Sequence, residues 1–298
     1  MDKLTSILVV IDPADGSRHV VAKAMVLARH FRARLELFLC DPEDGHSLRH
    51  AHDKMSPEEA QSGRLSRLQR YVDAVGRSLA EDVPITTHVA SEGPLCASVV
   101  HRVHEMCPDL VVKSAAGHHP MQRFSLDAND WQLAKACPVP LMLTRGRPWS
   151  ARGRFAAAVD VADAAGSGLA RSVMEAAGFL TLGCHGQLDV LYCEQEAKDS
   201  VAVEAHWETL GRLVRKFQVG VESQHVIAGA ADDVLPGFAD SQNYDLMIIG
   251  ALTRRQGIGP LMGTLTSRLI DALACDFVLV KADSQVTPVV EWLHEVTA

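Results

Sequence analysis

The segment from Gly250 to Thr266 combines glycines, hydroxyl side chains and arginines in an order that suits anion binding. An apolar run precedes it and a helical pattern follows from Thr264. Glycine lets the backbone approach a ligand closely, and a helix N-terminus offers unpaired amides and the positive end of its dipole. Thr264 and Thr266 would add hydroxyl donors, and Arg254 or Arg255 would add charge. The segment predicts a phosphate-binding loop.

This loop matches neither of the common phosphate-binding motifs. The sequence contains no GxxxxGK[ST], and the spacing of Gly257, Gly259 and Gly263 misses the dinucleotide fingerprint by one residue. On spacing alone, two interpretations stay open. The loop binds phosphate, or its glycines only form turns and its arginines are solvated.

Asp160 follows an apolar run and is the second candidate for ligand contact. Ligands of open parallel sheets bind beyond the carboxyl ends of the strands, where strand order reverses. If the first and fourth strands of this half are neighbours, Asp160 and Gly250 flank that position. Asp160 would then accept hydrogen bonds from a ribose or base, and the loop would take the phosphates. The alternative makes Asp160 a helix cap.

An internal repeat sets these candidates in a fold. The apolar run ending at Asp12 matches the run ending at Asp160, and four further strand-like runs recur in the same order. These pairs are 35–40 with 188–193, 88–89 with 225–226, 109–115 with 245–251, and 136–143 with 274–280.

Segments with helical periodicity alternate with the strands, which indicates parallel βαβ units. They are 20–30, 66–80, 96–105, 130–135, 169–177, 203–217, 232–239 and 264–274. The predicted fold is α/β, with two tandem doubly wound domains. Each has a five-stranded parallel sheet of order 3-2-1-4-5, helices on both faces, and pseudo-dimer packing through the fifth strands. Predicted boundaries are 1–148, 149–283 and a tail over 284–298.

Composition excludes several other classes. The 298 residues are 47% hydrophobic and 5% aromatic, which rules out a disordered chain, and 29 basic against 37 acidic side chains give a charge of −8. A phosphate backbone would be repelled, so nucleic acid is not an expected partner. No apolar stretch reaches the ~20 residues of a membrane span, and the first apolar run is too short for a signal peptide. Seven cysteines without a CxxC pair predict buried thiols in the cytoplasm.

The strand ending in Asp, followed later by a strand, a loop of pattern GxxGx9G[ST] and a helix, resembles the universal stress protein family. Two copies in this length resemble its tandem, E-type members. The segment ahead of Cys137-Pro138 and the junction at 147–149 also resemble that group. The resemblance implies an ATP-binding stress-response protein with little or no catalysis. It also implies that the Asp after the first strand contacts the adenine and ribose side.

The candidate nucleotide contacts all lie in the second half, and ATP, with or without Mg²⁺, is the expected ligand. They are Asp160, Val161, Val226, Gly250, Thr253, Gly259, Gly263, Thr264, Leu265 and Thr266. Thr253 stands where the family motif has its second glycine. If that position is left-handed, a β-branched residue costs on the order of 1–2 kcal/mol, roughly tenfold in affinity. If it is not, Thr253 is harmless or even donates to a phosphate.

The first half departs further from the motif. Asp127 replaces the third glycine and Ala128 the hydroxyl residue, so a carboxylate would repel phosphate there. No nucleotide is expected in the first half. Its crevice is either structural or serves another ligand, such as a small molecule or a lipid.

Other functions stay open beside the leading one. If Thr253 disables the second site as Asp127 disables the first, the chain is an interaction protein that binds no nucleotide. A homodimer is compatible with both functions. A metal-dependent enzyme would need convergent ligands, and the His46, His50, His52, Asp53, His118 and His119 group is instead expected to be solvated loop. Cys184-His185 is expected to be a structural turn. No catalytic residue is proposed, and ATP hydrolysis would at most be slow.

Overall fold

The computed structural model describes residues 1, 3–12, 18–40, 57–79, 82–90, 94–115, 128–161, 168–195, 200–217, 220–251, 268–269 and 271–282. By its contacts the chain divides into two compact units. The N-terminal unit is Leu4–Ser114, and the C-terminal unit is Ala115–Ala298 together with Met1–Lys3. The predicted domain boundaries at 148 and 283 follow the sequence repeat and stay predictions.

The N-terminal unit alternates strands and helices. Its elements are β1 (Ser6–Ile11), α1 (Arg18–Phe31), β2 (Arg34–Cys40), α2 (Pro57–Leu79), β3 (Ile85–Ala90), α3 (Leu95–Met106) and β4 (Leu110–Ser114). The strands are parallel in the order β3-β2-β1-β4. Every residue of β1 and β4 is buried. Because successive side chains point to opposite faces, both faces of these strands are covered.

The C-terminal unit contains the second set of strands. Its elements are α4 (Ala128–Ala136), β5 (Leu141–Thr144), β6 (Arg154–Ala158), α5 (Leu169–Gly183), β7 (Gln187–Glu194), α6 (Ser200–Phe217), β8 (Ser223–Ala228), α7 (Ala231–Ser241), β9 (Leu246–Gly250) and β10 (Asp276–Val280). The order is β5-β10-β9-β6-β7-β8. Strands β6 to β10 thus form a parallel sheet in the predicted 3-2-1-4-5 order. Strand β5 pairs with β10 antiparallel.

A matching pair of carboxylates fixes the start of the first strand in each half. Asp109 Oδ2 accepts hydrogen bonds from the backbone amides of Thr5, at 2.7 Å, and Ser6, at 3.2 Å. Asp245 Oδ2 accepts one from the backbone amide of Arg154 at 2.9 Å. The amides of Asp109 and Asp245 donate in return to the carbonyls of Ser6 and Arg154, each at 2.8 Å. The two halves of the repeat therefore share individual hydrogen bonds at equivalent residues.

The segment between β5 and β6 is held by a second buried carboxylate, Asp276 at the start of β10. Its Oδ1 accepts the backbone amide of Arg145 and its Oδ2 accepts the indole N–H of Trp149, both at 2.7 Å. Asp276 is 1% exposed, and a hydrogen bond to a buried charged group is a strong one. The Trp149 ring also lies edge-on to Phe155. These contacts fix the junction residues against the sheet.

Most predicted elements are present, with some differences. Helix α2 begins at Pro57, nine residues before the predicted start. The expectation that all cysteines are buried is wrong for Cys107, which is exposed, and for Cys184 and Cys193, which are half-buried. Of the predicted helix 264–274, residues 268–269 and 271–272 are helical and residues 264–267 lie outside the described residues. The tail over 284–298 also lies outside them.

Candidate functional site

The carboxyl ends of β6 and β9 meet at the place where strand order reverses. Strand β6 pairs in parallel with β9 on one side and with β7 on the other. Ala157 lies opposite Ile248, so Asp160 and Gly250 follow a short distance beyond the same point of the ladder. The adjacency of the first and fourth strands is thus present, and it puts both candidates at one edge of the sheet.

Gly250 is required by packing at this edge. A Cβ built on it would lie 2.5 Å from Cδ2 of Leu169, the first residue of α5. Its backbone is not left-handed, so the need for glycine here is one of space rather than of conformation. The absence of a side chain lets α5 start directly against the end of β9.

Asp160 is exposed, whereas the adjacent Val161 is only 5% exposed. Tyr192, near the end of β7, has its pKa raised to about 12, first by burial and then by the charges of Glu194 and Asp160. The carboxylate of Asp160 therefore lies close enough to the phenol to act on it electrostatically. A carboxylate facing solvent beside an apolar side chain suits the ribose and base of a nucleoside.

Two ionic contacts border this edge. Glu194, at the end of β7, is buried and pairs with Nδ1 of His206 on α6. Arg268 donates to Asp232 at the start of α7 at 3.3 Å. Arg268 is 76% exposed, so this contact stabilises little.

The structure describes four of the ten candidate residues. Asp160, Val161 and Gly250 lie at the strand ends as stated, and Val226 lies in β8 opposite Tyr192 of β7. The others lie outside the described residues, and their contacts stay predictions. They are Thr253, Gly259, Gly263, Thr264, Leu265 and Thr266.

The described site residues fit the nucleoside part of ATP. The fit rests on the exposed Asp160 carboxylate and the buried Val161, whereas the place beside Gly250 is taken by Leu169. Sequence reasoning missed Leu169 and Tyr192. Tyr192 was identifiable, because its place near the end of a predicted strand puts it at the same edge of a parallel sheet.

The equivalent edge of the N-terminal unit carries other side chains. Ser114, at the end of β4, is hydrogen-bonded to His19 on α1 at 3.0 Å. Lys113 is 8% exposed and donates to the carbonyl of Ser114 at 3.0 Å, so its ammonium does not reach solvent as a surface lysine would. Asp127, on which the predicted loss of nucleotide binding rests, lies outside the described residues, as does the side chain of Ala128.

The remaining candidates from sequence show no reactive site among the described residues. Cys184 follows α5, and burial raises the pKa of its thiol to about 12, which disfavours a thiolate nucleophile. His46, His50, His52, Asp53, His118 and His119 lie outside the described residues. Within the described ranges no three His, Cys, Asp or Glu side chains form a metal-binding group, and no helix is long and apolar enough to cross a membrane.

The sheet order and the repeated halves define a doubly wound α/β protein. Residues 3–145 match the family described as "Universal stress protein family". By this match, residues 3–145 are similar to the universal stress protein family, and they make up slightly less than half of the chain. It is similar to Universal stress protein E of Escherichia coli strain K12, with 22% identity covering 95% of this chain and 96% of that protein. It is also similar to Universal stress protein E of Photorhabdus laumondii, with 20% identity covering 97% and 98%.

Solved structures share the fold. A protein of Pseudomonas aeruginosa PAO1 described as functionally unknown superposes with a TM-score of 0.75 at 22% identity, covering 98% of this chain and 96% of that chain. A universal stress protein from Archaeoglobus fulgidus DSM 4304 superposes with a TM-score of 0.63 at 12% identity, covering 93% and 98%. At these identities the likeness concerns the fold alone.

Proposed function

We propose that the chain is a stress-response protein that binds one ATP, with or without Mg²⁺, at the carboxyl ends of β6 and β9. The observation that carries this proposal is the pairing of β6 with β9, which brings Asp160 and Gly250 to a single edge. The segment predicted to bind phosphate starts at that edge, directly after Gly250. Fold, family and residue chemistry thus favour one position.

The roles of the residues divide along this edge. Asp160 accepts hydrogen bonds from the ribose or base, and Val161 and Val226 supply apolar contact. The loop residues Thr253, Gly259, Gly263, Thr264, Leu265 and Thr266 take the phosphates through backbone amides and hydroxyls. Since Asp160 and Glu194 bring negative charge to this edge, the arginines of the loop are needed to offset repulsion of the triphosphate.

The N-terminal half has a structural role in this proposal and binds no nucleotide. Strand β5 comes from the first sequence repeat and β10 from the second, and their antiparallel pairing supports an intramolecular pseudo-dimer through the fifth strands. The proposal places the protein in the cytoplasm. It assigns no base to a water molecule, so ATP turnover is expected to be slow or absent.

The direct test is calorimetry with ATP on the metal-treated, nucleotide-free chain. Wild type is expected to bind one ATP, and Gly263→Asp is expected to lose binding, because a carboxylate would face the phosphates. The matched variant for the first half, Asp127→Gly with Ala128→Thr, leaves the second site intact and should keep at least one ATP. Unchanged affinity in Gly263→Asp would remove the loop assignment.

A second candidate function is an interaction protein whose nucleotide site Thr253 has disabled. Thr253→Gly distinguishes the two. If wild type binds no ATP and Thr253→Gly does, the site exists but is inactive in this chain. If neither binds ATP, the nucleotide proposal fails.

A further inference from the structure

A polar pocket lies at the amino ends of β6, β7 and β8, at the opposite strand ends from the proposed nucleotide site. Its volume is about 180 Å³. That is smaller than the roughly 300–1,000 Å³ typical of sites for drug-sized ligands, so it suits only a small molecule. Its lining is mostly polar or charged and includes Arg154, Gln187, Asp189, Glu222, His225 and Tyr244.

The buried carboxylate of Asp189 lines the pocket. Asp189 is 5% exposed, and its Oδ2 accepts a hydrogen bond from the hydroxyl of Tyr244 at 2.6 Å. The nearest guanidinium nitrogen, Nη2 of Arg154, is 3.6 Å from Oδ2, which is longer than a hydrogen bond. Nε2 of His225 lies 3.8 Å away, is buried, and has no hydrogen-bond partner among the described residues.

In the first half of the repeat, the carboxylate at the equivalent position is fully paired with an arginine. Glu36 is the third residue of β2, as Asp189 is of β7. Arg102 of α3 forms a fork on it, with Nε donating to Oε1 at 2.6 Å and Nη2 to Oε2 at 2.7 Å. This pairing raises the pKa of Arg102 above its usual value, mainly through the hydrogen bonds to Glu36. It is the two-pronged geometry typical of guanidinium and carboxylate.

The second half lacks that arginine. Arg102 precedes Asp109 by seven residues, and Phe238 of α7 precedes Asp245 by the same number. The ring of Phe238 lies against His225, with centroids 5.1 Å apart. It therefore contributes no charge to Asp189. The pocket therefore lies beside Asp189, whose counterpart Glu36 binds the guanidinium of Arg102.

The charges of the lining favour a cation. Asp189 and Glu222 bring two carboxylates, against the single guanidinium of Arg154. Arg154 is also engaged elsewhere: its Nη1 donates to the carbonyl of Gln242 at 2.5 Å, and its guanidinium carbon lies 5.5 Å from the ring centroid of Tyr244.

We infer that this pocket, lined by Arg154, Asp189, Glu222, His225 and Tyr244, binds a small molecule bearing a guanidinium group. The guanidinium donates to Asp189 as the side chain of Arg102 donates to Glu36. Glu222 adds long-range attraction, and the oriented nitrogen of His225 is available for a further hydrogen bond. This site is separate from the proposed ATP site and does not depend on it.

The probe is agmatine, with butylamine as a cation that lacks the fork. Calorimetry and thermal unfolding of the full chain are expected to show agmatine binding at one site, a raised melting temperature, and weaker binding of butylamine. Asp189→Asn is expected to lose about tenfold or more in agmatine affinity, because a charge-assisted hydrogen bond is lost. Glu222→Gln, at the pocket rim, is expected to lose less.

Phe238→Arg is the sharpest variant, because it supplies from α7 the guanidinium that α3 supplies in the first half. It is expected to abolish agmatine binding and to raise the melting temperature of the ligand-free protein. If Asp189→Asn is unfolded, Phe238→Arg and Glu222→Gln decide. The inference is overturned if wild type shows no response at millimolar agmatine, or if Phe238→Arg and Glu222→Gln both bind agmatine as wild type does. Agmatine binding without ATP binding would contradict only the proposed function.

Discussion

Burial of Cys137 changes the acid–base chemistry of its thiol. Desolvation is the main cause, and it raises the pKa to about 11 from the usual 9.0. A folded-state pKa above the unfolded value means that the native protein holds this proton more tightly. The resulting stability is complete below about pH 9 and is lost as the pH rises through about 11.

We therefore expect the free energy of unfolding to fall between pH 9 and 11, with Cys137 contributing roughly 2–3 kcal/mol of that fall. Urea unfolding across this range should show a flatter decline in Cys137→Ala than in wild type. Cys107→Ala, at an exposed position, is the control and should follow wild type. Equal slopes in all three proteins would mean that the Cys137 thiol titrates normally.

The contact of α5 with β9 makes a prediction at the scale of elements. Since a Cβ at Gly250 would lie 2.5 Å from Leu169, Gly250→Ala is expected to destabilise the chain by roughly 1–3 kcal/mol. Leu169→Ala should create room for that Cβ. The double variant is thus expected to be more stable than the sum of the single changes predicts, as measured by urea unfolding.

The same pair separates packing from ligand contact. If Gly250 matters to ATP only through the placement of α5, the double variant should recover affinity together with stability. If Gly250 also lets phosphate approach the backbone, stability returns while ATP affinity stays low. Additive effects of the two substitutions on stability would contradict the packing explanation.

Local patterns sufficed for most elements of this fold. The buried strands were predictable from their apolar runs. The repeat showed which strands correspond, and Asp109 and Asp245 confirm this because they occupy the same place in each half. The start of α2 was missed because its first turns are polar and lack an apolar stripe. Ser56 followed by Pro57 and Glu59 was a usable helix-start signal.

The site was less accessible from sequence because its contacts are distant along the chain. The approach of Leu169 to Gly250 depends on the exact angle between a helix and a strand, which no local pattern encodes. The amino-end pocket was missed for a similar reason. Asp189 lies in an apolar run, and although the spacing to Asp245 aligns Phe238 with Arg102, the sequence does not show that Arg102 contacts Glu36.

At the scale of the whole molecule, the junction near Trp149 joins the two sequence repeats. Trp149→Phe keeps a ring beside Phe155 but loses the hydrogen bond to the buried Asp276. The expected cost is roughly 1.5–3 kcal/mol, measured by urea unfolding. Trp207→Phe is the matched control, because Trp207 is 42% exposed on α6. If both variants lose the same stability, Asp276 does not hold the junction.

The central claim is tested most directly by measuring ATP binding to two variants, one at Asp160 and one at its repeat counterpart Asp12. Asp12 directly follows β1 and Asp160 lies two residues after β6, and both are described residues. Calorimetry on the full chain should give one ATP for wild type and for Asp12→Asn, and a loss on the order of tenfold in affinity for Asp160→Asn. Two bound ATP molecules, no binding, or equal losses in the two variants would contradict a single nucleotide site at β6 and β9.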